Sequence, residues 1–278
     1  MLGTIKPAGI TMSARGRAGR GFVAGSMIGA LGGLIGLGGA EFRLPVLVGV
    51  FRLTTLKAII FNKAMSLVVV TAALVFRAGA IPLDQLASHL DVALNLLAGS
   101  LVGAWWAAGH ALTMPHQWLN RIILVLLVGL GLLMLSEAWF GLHDGTTPLI
   151  HAGPIRIIAG LVAGLGIGLV AALLGVAGGE LLIPTIVLLY GLDIKLAGSL
   201  SLVVSLPTMI VGFARYSGSD AFAVMRQERP LFHWMVAGSI LGAGLGGLLL
   251  GLVPSRLLIG FLGIILLISA VKTFQHAH

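Results

Sequence analysis

Two carboxylates, Glu41 and Glu180, stand 139 positions apart inside similar glycine-rich phrases, GLGGAEFRLP over Gly36 to Pro45 and GVAGGELLIP over Gly175 to Pro184. An acid set between long apolar runs is costly to ionise, and its usual employment there is ion binding or proton coupling. The plainer reading is that each acid caps a short helix, because carboxylates favour helix N-termini. A carboxylate at an anion-attracting helix end repels an anionic substrate unless protonated, which favours linked movement of a proton and an anion. Other polar side chains lie on the same spacing: Asn62, Lys63 and Ser66 align with Ser201, Leu202 and Ser205. The serines either donate to an anion or bond their own helix backbone. Arg43 has no basic counterpart, since Leu182 occupies the matching position. It meets a substrate oxyanion, pairs with a glutamate, or snorkels to lipid phosphate.

The glycines bring a second kind of chemistry. Gly38, Gly39, Gly178 and Gly179 can take backbone angles closed to other residues, leaving amides outside the helix ladder. Pro45 and Pro184 are expected in the first turns of the helices that follow, where a missing donor costs least. A helix N-terminus with open amides attracts anions, and unwound backbone at membrane depth is tolerated only where it lines a cavity. By contrast Gly25, Gly29 and Gly33, with Gly160, Gly164 and Gly168, fall at four-residue spacing and read as close helix packing.

The elements that must position these residues are membrane helices. Of 278 residues 58% are hydrophobic and 9% charged, too few polar groups to cover a soluble domain. Several apolar runs reach about 20 residues, the length of a helix crossing roughly 30 Å of hydrocarbon. The chain reads as an all-α polytopic integral membrane protein in a lipid bilayer. Seventeen Lys and Arg against nine Asp and Glu mark loop topology rather than nucleic-acid binding. Cysteine is absent, which removes disulfide, thiol and Cys-ligated metal chemistry. The eight histidines show no metal-ligand spacing, so neither a metal nor another cofactor is expected. The Gly-x-Ser-x-Gly and His-Glu-x-x-His patterns are missing, so an enzyme is not expected.

A shift of 139 positions aligns the halves over about 80 residues, from Ala24 with Ala163 to Gly103 with Gly242. The sequence divides into a basic tail (1–20), a first repeat (21–141), a linker (142–154), a second repeat (155–274) and a short tail (275–278). The basic stretch SARGRAGRGF before an apolar run has the charge order of a signal peptide, yet that run belongs to the repeat and is expected to be retained. Each repeat has about five apolar segments, the second too short to span comfortably, the sequence pointer to a transporter's central site. An odd number of crossings per half gives an inverted repeat with short or re-entrant half-helices at its centre. With five crossings per half and a cytoplasmic N-terminus, twelve of the seventeen basic residues fall inside and five elsewhere; with re-entrant short segments that do not change sides the count is ten to seven. The first split favours a multi-pass protein of the cell (inner) membrane with both termini cytoplasmic.

The duplicated phrases, each a glycine-rich helix running into GLGGAEFRLP or GVAGGELLIP, resemble the paired signature of the TauE/SafE family of sulfite and organosulfonate exporters. The resemblance covers Phe22 to Lys272; Ala40 and Ala177 each replace one glycine of the family's usual run, and Glu41 and Glu180 follow. It implies a secondary transporter of small sulfur-containing anions such as sulfite, thiosulfate or organosulfonates. The two tips, with Gly38, Gly39, Glu41, Arg43, Asn62, Lys63, Ser66, Gly178, Gly179, Glu180, Ser201 and Ser205, are then the expected substrate site, Glu41 and Glu180 carrying a coupling proton. The competing reading is a proton or cation pathway through the paired glutamates.

Overall fold

A computed structural model of the chain describes residues 14–53, 55–79, 81–110, 124–125, 128–132, 134–136, 138–139, 148–174, 177–216 and 224–275. The first 13 residues, the first part of the linker and the last three residues lie outside the described residues, and so does Trp118. With no water to satisfy peptide groups in hydrocarbon, the backbone must bond within itself. Helices are accordingly the only regular structure among the described residues.

The first half contains α1 (Ala14–Ile35), α2 (Ala40–Gly49), α3 (Thr55–Arg77), α4 (Leu83–Ala87) and α5 (Leu90–His110), with helical residues of its fifth segment at 128–132. The second contains α6 (Pro154–Leu174), α7 (Gly179–Tyr190), α8 (Ile194–Tyr216), α9 (Val224–Gln227), α10 (Arg229–Leu249) and α11 (Ser255–Gln275). Helices α1, α3, α5, α6, α8 and α10 are long and apolar enough to cross a membrane. Large apolar side chains such as Val102, Leu245 and Leu252 point outward. That outward face is what lipid requires, and the all-α polytopic architecture follows.

Each short second helix folds back along the helix before it. A methyl group added at Gly178, just before α7, would lie 3.2 Å from Ile167 of α6, while Gly160 near the start of α6 abuts Tyr190 at the end of α7. Helix α7 thus runs antiparallel to α6, and its 12 residues rise about 18 Å, short of the roughly 30 Å core. Gly39 lies against Ile28 in the first half, the same contact shifted by 139 positions.

The glycine stripes pack each half into the other. Gly25, Gly29 and Gly33 of α1 press on the carbonyls of Met235, Ser239 and Ala243 of α10, so these two helices run parallel at close approach. Gly164 and Gly168 of α6 press in turn on the carbonyls of Leu96 and Ser100 of α5, the same contacts moved by 139 positions. The reciprocal set agrees: Gly238 and Gly242 meet Phe22 and Ser26, as Gly99 and Gly103 meet Leu161 and Leu165. Without a hydrophobic drive between helices in lipid, this backbone approach supplies the dispersion contact that holds them. At the rim the repeat persists, with Arg17 over Phe51 at 5.9 Å and Arg156 over Tyr190 at 5.4 Å.

Burial revises the charge count that set topology. Arg43, Lys63 and Arg77 are each at most 2% exposed, so they are structural cations inside the bundle and not loop charges. Without them fourteen basic residues remain to mark topology.

Candidate functional site

The two tips meet. A methyl group on Gly38 would lie 2.5 Å from the Cβ of Ala177, and one on Gly179 would lie 3.2 Å from the Gly36 carbonyl. Each short helix opens on a left-handed glycine, Gly39 (φ 67°) for α2 and Gly178 (φ 76°) for α7. That conformation costs an ordinary residue about 1–2 kcal/mol, which explains glycine at both matching positions. Neither N-cap supplies a side-chain acceptor, so the positive end of each helix dipole faces the shared centre. Gly38 and Gly179 do not take positive φ, contrary to expectation; Gly36 (φ 93°), at the end of α1, does. Pro184 also departs from expectation, lying inside α7 beyond its first turn, where it removes the bond to the Glu180 carbonyl.

Around the first tip the polar residues close on one another. Arg43 of α2 is fully buried, and its Nη1 donates to Ser66 Oγ at 3.0 Å and to Asn62 Oδ1 at 3.2 Å. Its Nη2 donates to the Gly38 carbonyl at 3.3 Å, and Asn62 Nδ2 donates to the Ala40 carbonyl at 3.1 Å. The expected alternative of an arginine snorkelling to lipid is therefore wrong: the guanidinium turns inward and ties the tip to α3. Lys63, 2% exposed, is the next residue along α3. The side chain of Glu41 lies outside the described residues.

The second tip is built differently. Leu182 is buried where Arg43 stands in the other half, and Leu202 where Lys63 stands. Glu180, in the first turn of α7, is 7% exposed. Ser201 Oγ bonds the Gly36 carbonyl at 2.9 Å and Gly198 of its own helix at 2.8 Å, so a second-half serine braces the first tip. Ser205 is buried one turn further along α8. The two serine expectations thus divide: Ser66 accepts from Arg43, and Ser201 serves its own backbone and the opposite tip together.

Sequence reasoning missed Arg77. It counts as a loop charge by position, yet it is 1% exposed and bonds the carbonyls of Gly33 and Leu34, the last turn of α1. The signal for it was an arginine ending an apolar run within reach of a helix C-terminus, which a cation caps well.

Fold and centre together define a multi-pass helical membrane protein organised around two opposed broken-helix tips. A family model of the sulfite exporter TauE/SafE matches residues 21–273, nearly the whole chain, and the chain belongs to that family. The family is one of membrane transporters of sulfur anions rather than of enzymes. Comparison with curated proteins and with solved structures gave no match.

Proposed function

We propose that this chain is a secondary transporter of a small sulfur-containing anion, such as sulfite, thiosulfate or an organosulfonate, working by alternating access between two inverted halves of the cell membrane protein. The observation that carries the reading is the meeting of two left-handed glycine tips, Gly38 against Ala177 and Gly179 against Gly36, each opening a short helix toward one centre. Two helix N-termini aimed at a common point favour an anion. The inverted relation is supported by helix directions. α1 is parallel to α10, and so is α3, since Phe61 stacks on Phe232 and Phe76 meets Gly247. Arg77, ending α3, bonds Ser199 near the start of α8, as antiparallel neighbours do. Helix α5 meets α8 through Ser100 and Thr208 and runs parallel to α6.

In this reading Glu180 and Glu41 take up a proton as the anion binds, which removes the repulsion between carboxylate and substrate and couples the two movements. Arg43, committed to Asn62, Ser66 and Gly38, fixes the frame of the first tip. Proteoliposomes loaded with protein should take up radiolabelled sulfite with saturation, faster with a proton gradient. Glu41→Gln and Glu180→Gln should each abolish the pH dependence; unchanged pH dependence in both would remove the coupling assignment. Cation flux with no anion preference would favour the proton or cation pathway instead.

A further inference from the structure

The end of α3 carries a cationic cleft outside the two tips. Arg77 Nε donates to Ser199 Oγ at 3.0 Å, Nη1 to the carbonyls of Gly33 and Leu34 at 3.0 and 2.9 Å, and Nη2 to the Lys195 carbonyl. A guanidinium has five N–H donors, and these bonds use four. The remaining Nη2 hydrogen meets no acceptor among the described residues, and neither does the Ser199 hydroxyl hydrogen. None of the four acceptors is a carboxylate. Asp193, the acid just before α8, is engaged elsewhere: Oδ1 accepts from the Lys195 amide and Oδ2 from Ser255 Oγ, both at 2.8 Å. The Arg77 charge is thus hydrogen-bonded without a contacting carboxylate, and Asp193 acts on it only through space.

A cleft of about 120 Å³ lies beside it, lined by Leu74, Arg77, Ala78, Ile81, Leu86 and Ser199. Arg77 and Ser199 are the polar members of an otherwise apolar lining, the pattern of a small-ligand site with few convergent polar groups. The cleft adjoins the tips through Gly198. A methyl group there would lie 2.7 Å from Arg77 Nη2, while one on Gly36 would lie 2.6 Å from the Gly198 Cα. Capping α1 alone would use the Gly33 and Leu34 bonds; it leaves unexplained a spare donor on each of two residues that line one cleft.

We infer that this cleft is a second anion subsite, an antechamber in which Arg77 and Ser199 hold a small oxyanion on its way to or from the tips. The inference rests on the transport reading. Arg77 supplies the neutralising charge, and its spare N–H with the Ser199 hydroxyl gives a fork that matches a pyramidal or tetrahedral oxyanion. Leu74 and Ile81 keep the site dry enough for those bonds to count.

The test is sulfite binding and uptake by the full chain in lipid nanodiscs and proteoliposomes, with Ser199→Ala removing one donor and Leu86→Trp narrowing the cleft from the short helix α4. Both leave the tips untouched. Ser199→Ala should raise the sulfite Kd about five-fold or more, the loss of roughly one good hydrogen bond, and Leu86→Trp by a like factor through lost cleft volume, in protein that stays monodisperse. Unchanged Kd and uptake in both variants would overturn the antechamber and leave the transport reading standing. Wild-type protein that binds none of sulfite, thiosulfate or taurine would overturn both.

Discussion

The first tip is pinned by polar bonds and the second by packing, although the same glycine pattern builds both. Arg43, Asn62 and Ser66 form a buried network around Gly38 and Ala40, whereas Leu182 and Leu202 fill the matching space with methyl groups. A buried network of this kind fixes one geometry, because any departure leaves orphaned donors and acceptors at about 1–3 kcal/mol each. Apolar packing tolerates small sliding at little cost, since no directional bond is broken. On the transport proposal, the polar network makes the first tip the more rigid of the two.

The comparison breaks most sharply at Leu182→Arg. The new cation would enter a space where Ser201 is already bonded to Gly36 and Gly198 and no asparagine stands, and burial without partners costs several kcal/mol. Size-exclusion chromatography should show little folded protein, and adding Ser201→Asn should restore part of it; a well-folded single variant would erase the distinction between the tips. Next in size is Arg43→Leu, which gives the first tip the second tip's chemistry. It should lower stability by about 2–4 kcal/mol and cut sulfite uptake at least ten-fold. Full uptake in a folded Arg43→Leu protein would show that the network positions nothing used in transport.

Smaller effects sharpen the contrast. Gly39→Ala and Gly178→Ala both force an L residue into left-handed backbone, at about 1–2 kcal/mol. Gly39→Ala should lower the Tm further, because its methyl would lie 2.5 Å from Ile28 whereas that of Gly178 would lie 3.2 Å from Ile167. Equal Tm losses would mean that the first tip relaxes as readily as the second. Ser201→Ala removes the brace between the tips and should cost about 1 kcal/mol. The least effect is expected at the rim, where Arg17 pairs with Glu228 at 3.0 Å and both side chains are about a third exposed. Arg17→Ala should change stability by about 0.2–1 kcal/mol and Arg156→Ala, which has no such ion pair among the described residues, by less. Thermal unfolding in nanodiscs separates the two.

Much of this was legible in the chain. The 139-residue repeat, the short second segments and the glycine caps are local features: a left-handed turn needs glycine wherever it falls, and an apolar run of twenty residues needs a membrane. The broken tips at Gly39 and Gly178 were foreseen for that reason. The fate of the long cations was not. Arg43 and Arg77 each reach several ångströms from their own helix, so the acceptors they find, Ser66 on α3 or the Gly33 carbonyl on α1, depend on which helices come to lie beside them. A position in the sequence marks where such a side chain starts and says little about where its charge ends.

What the sequence determined by itself is the set of parts: membrane helices from hydropathy, two like halves from the repeat, a glycine-capped short helix in each, and an acid in its first turn. Local sterics and the cost of bare backbone in lipid fix all of these. Only the tertiary structure decided the partners. It set α1 on α10 and α5 on α6, each half embracing the other, and it brought Gly38 against Ala177. The physical reason is that a glycine stripe fits any close helix. The choice among helices is made by the whole bundle, where the reciprocal contacts of two like halves satisfy both stripes at once.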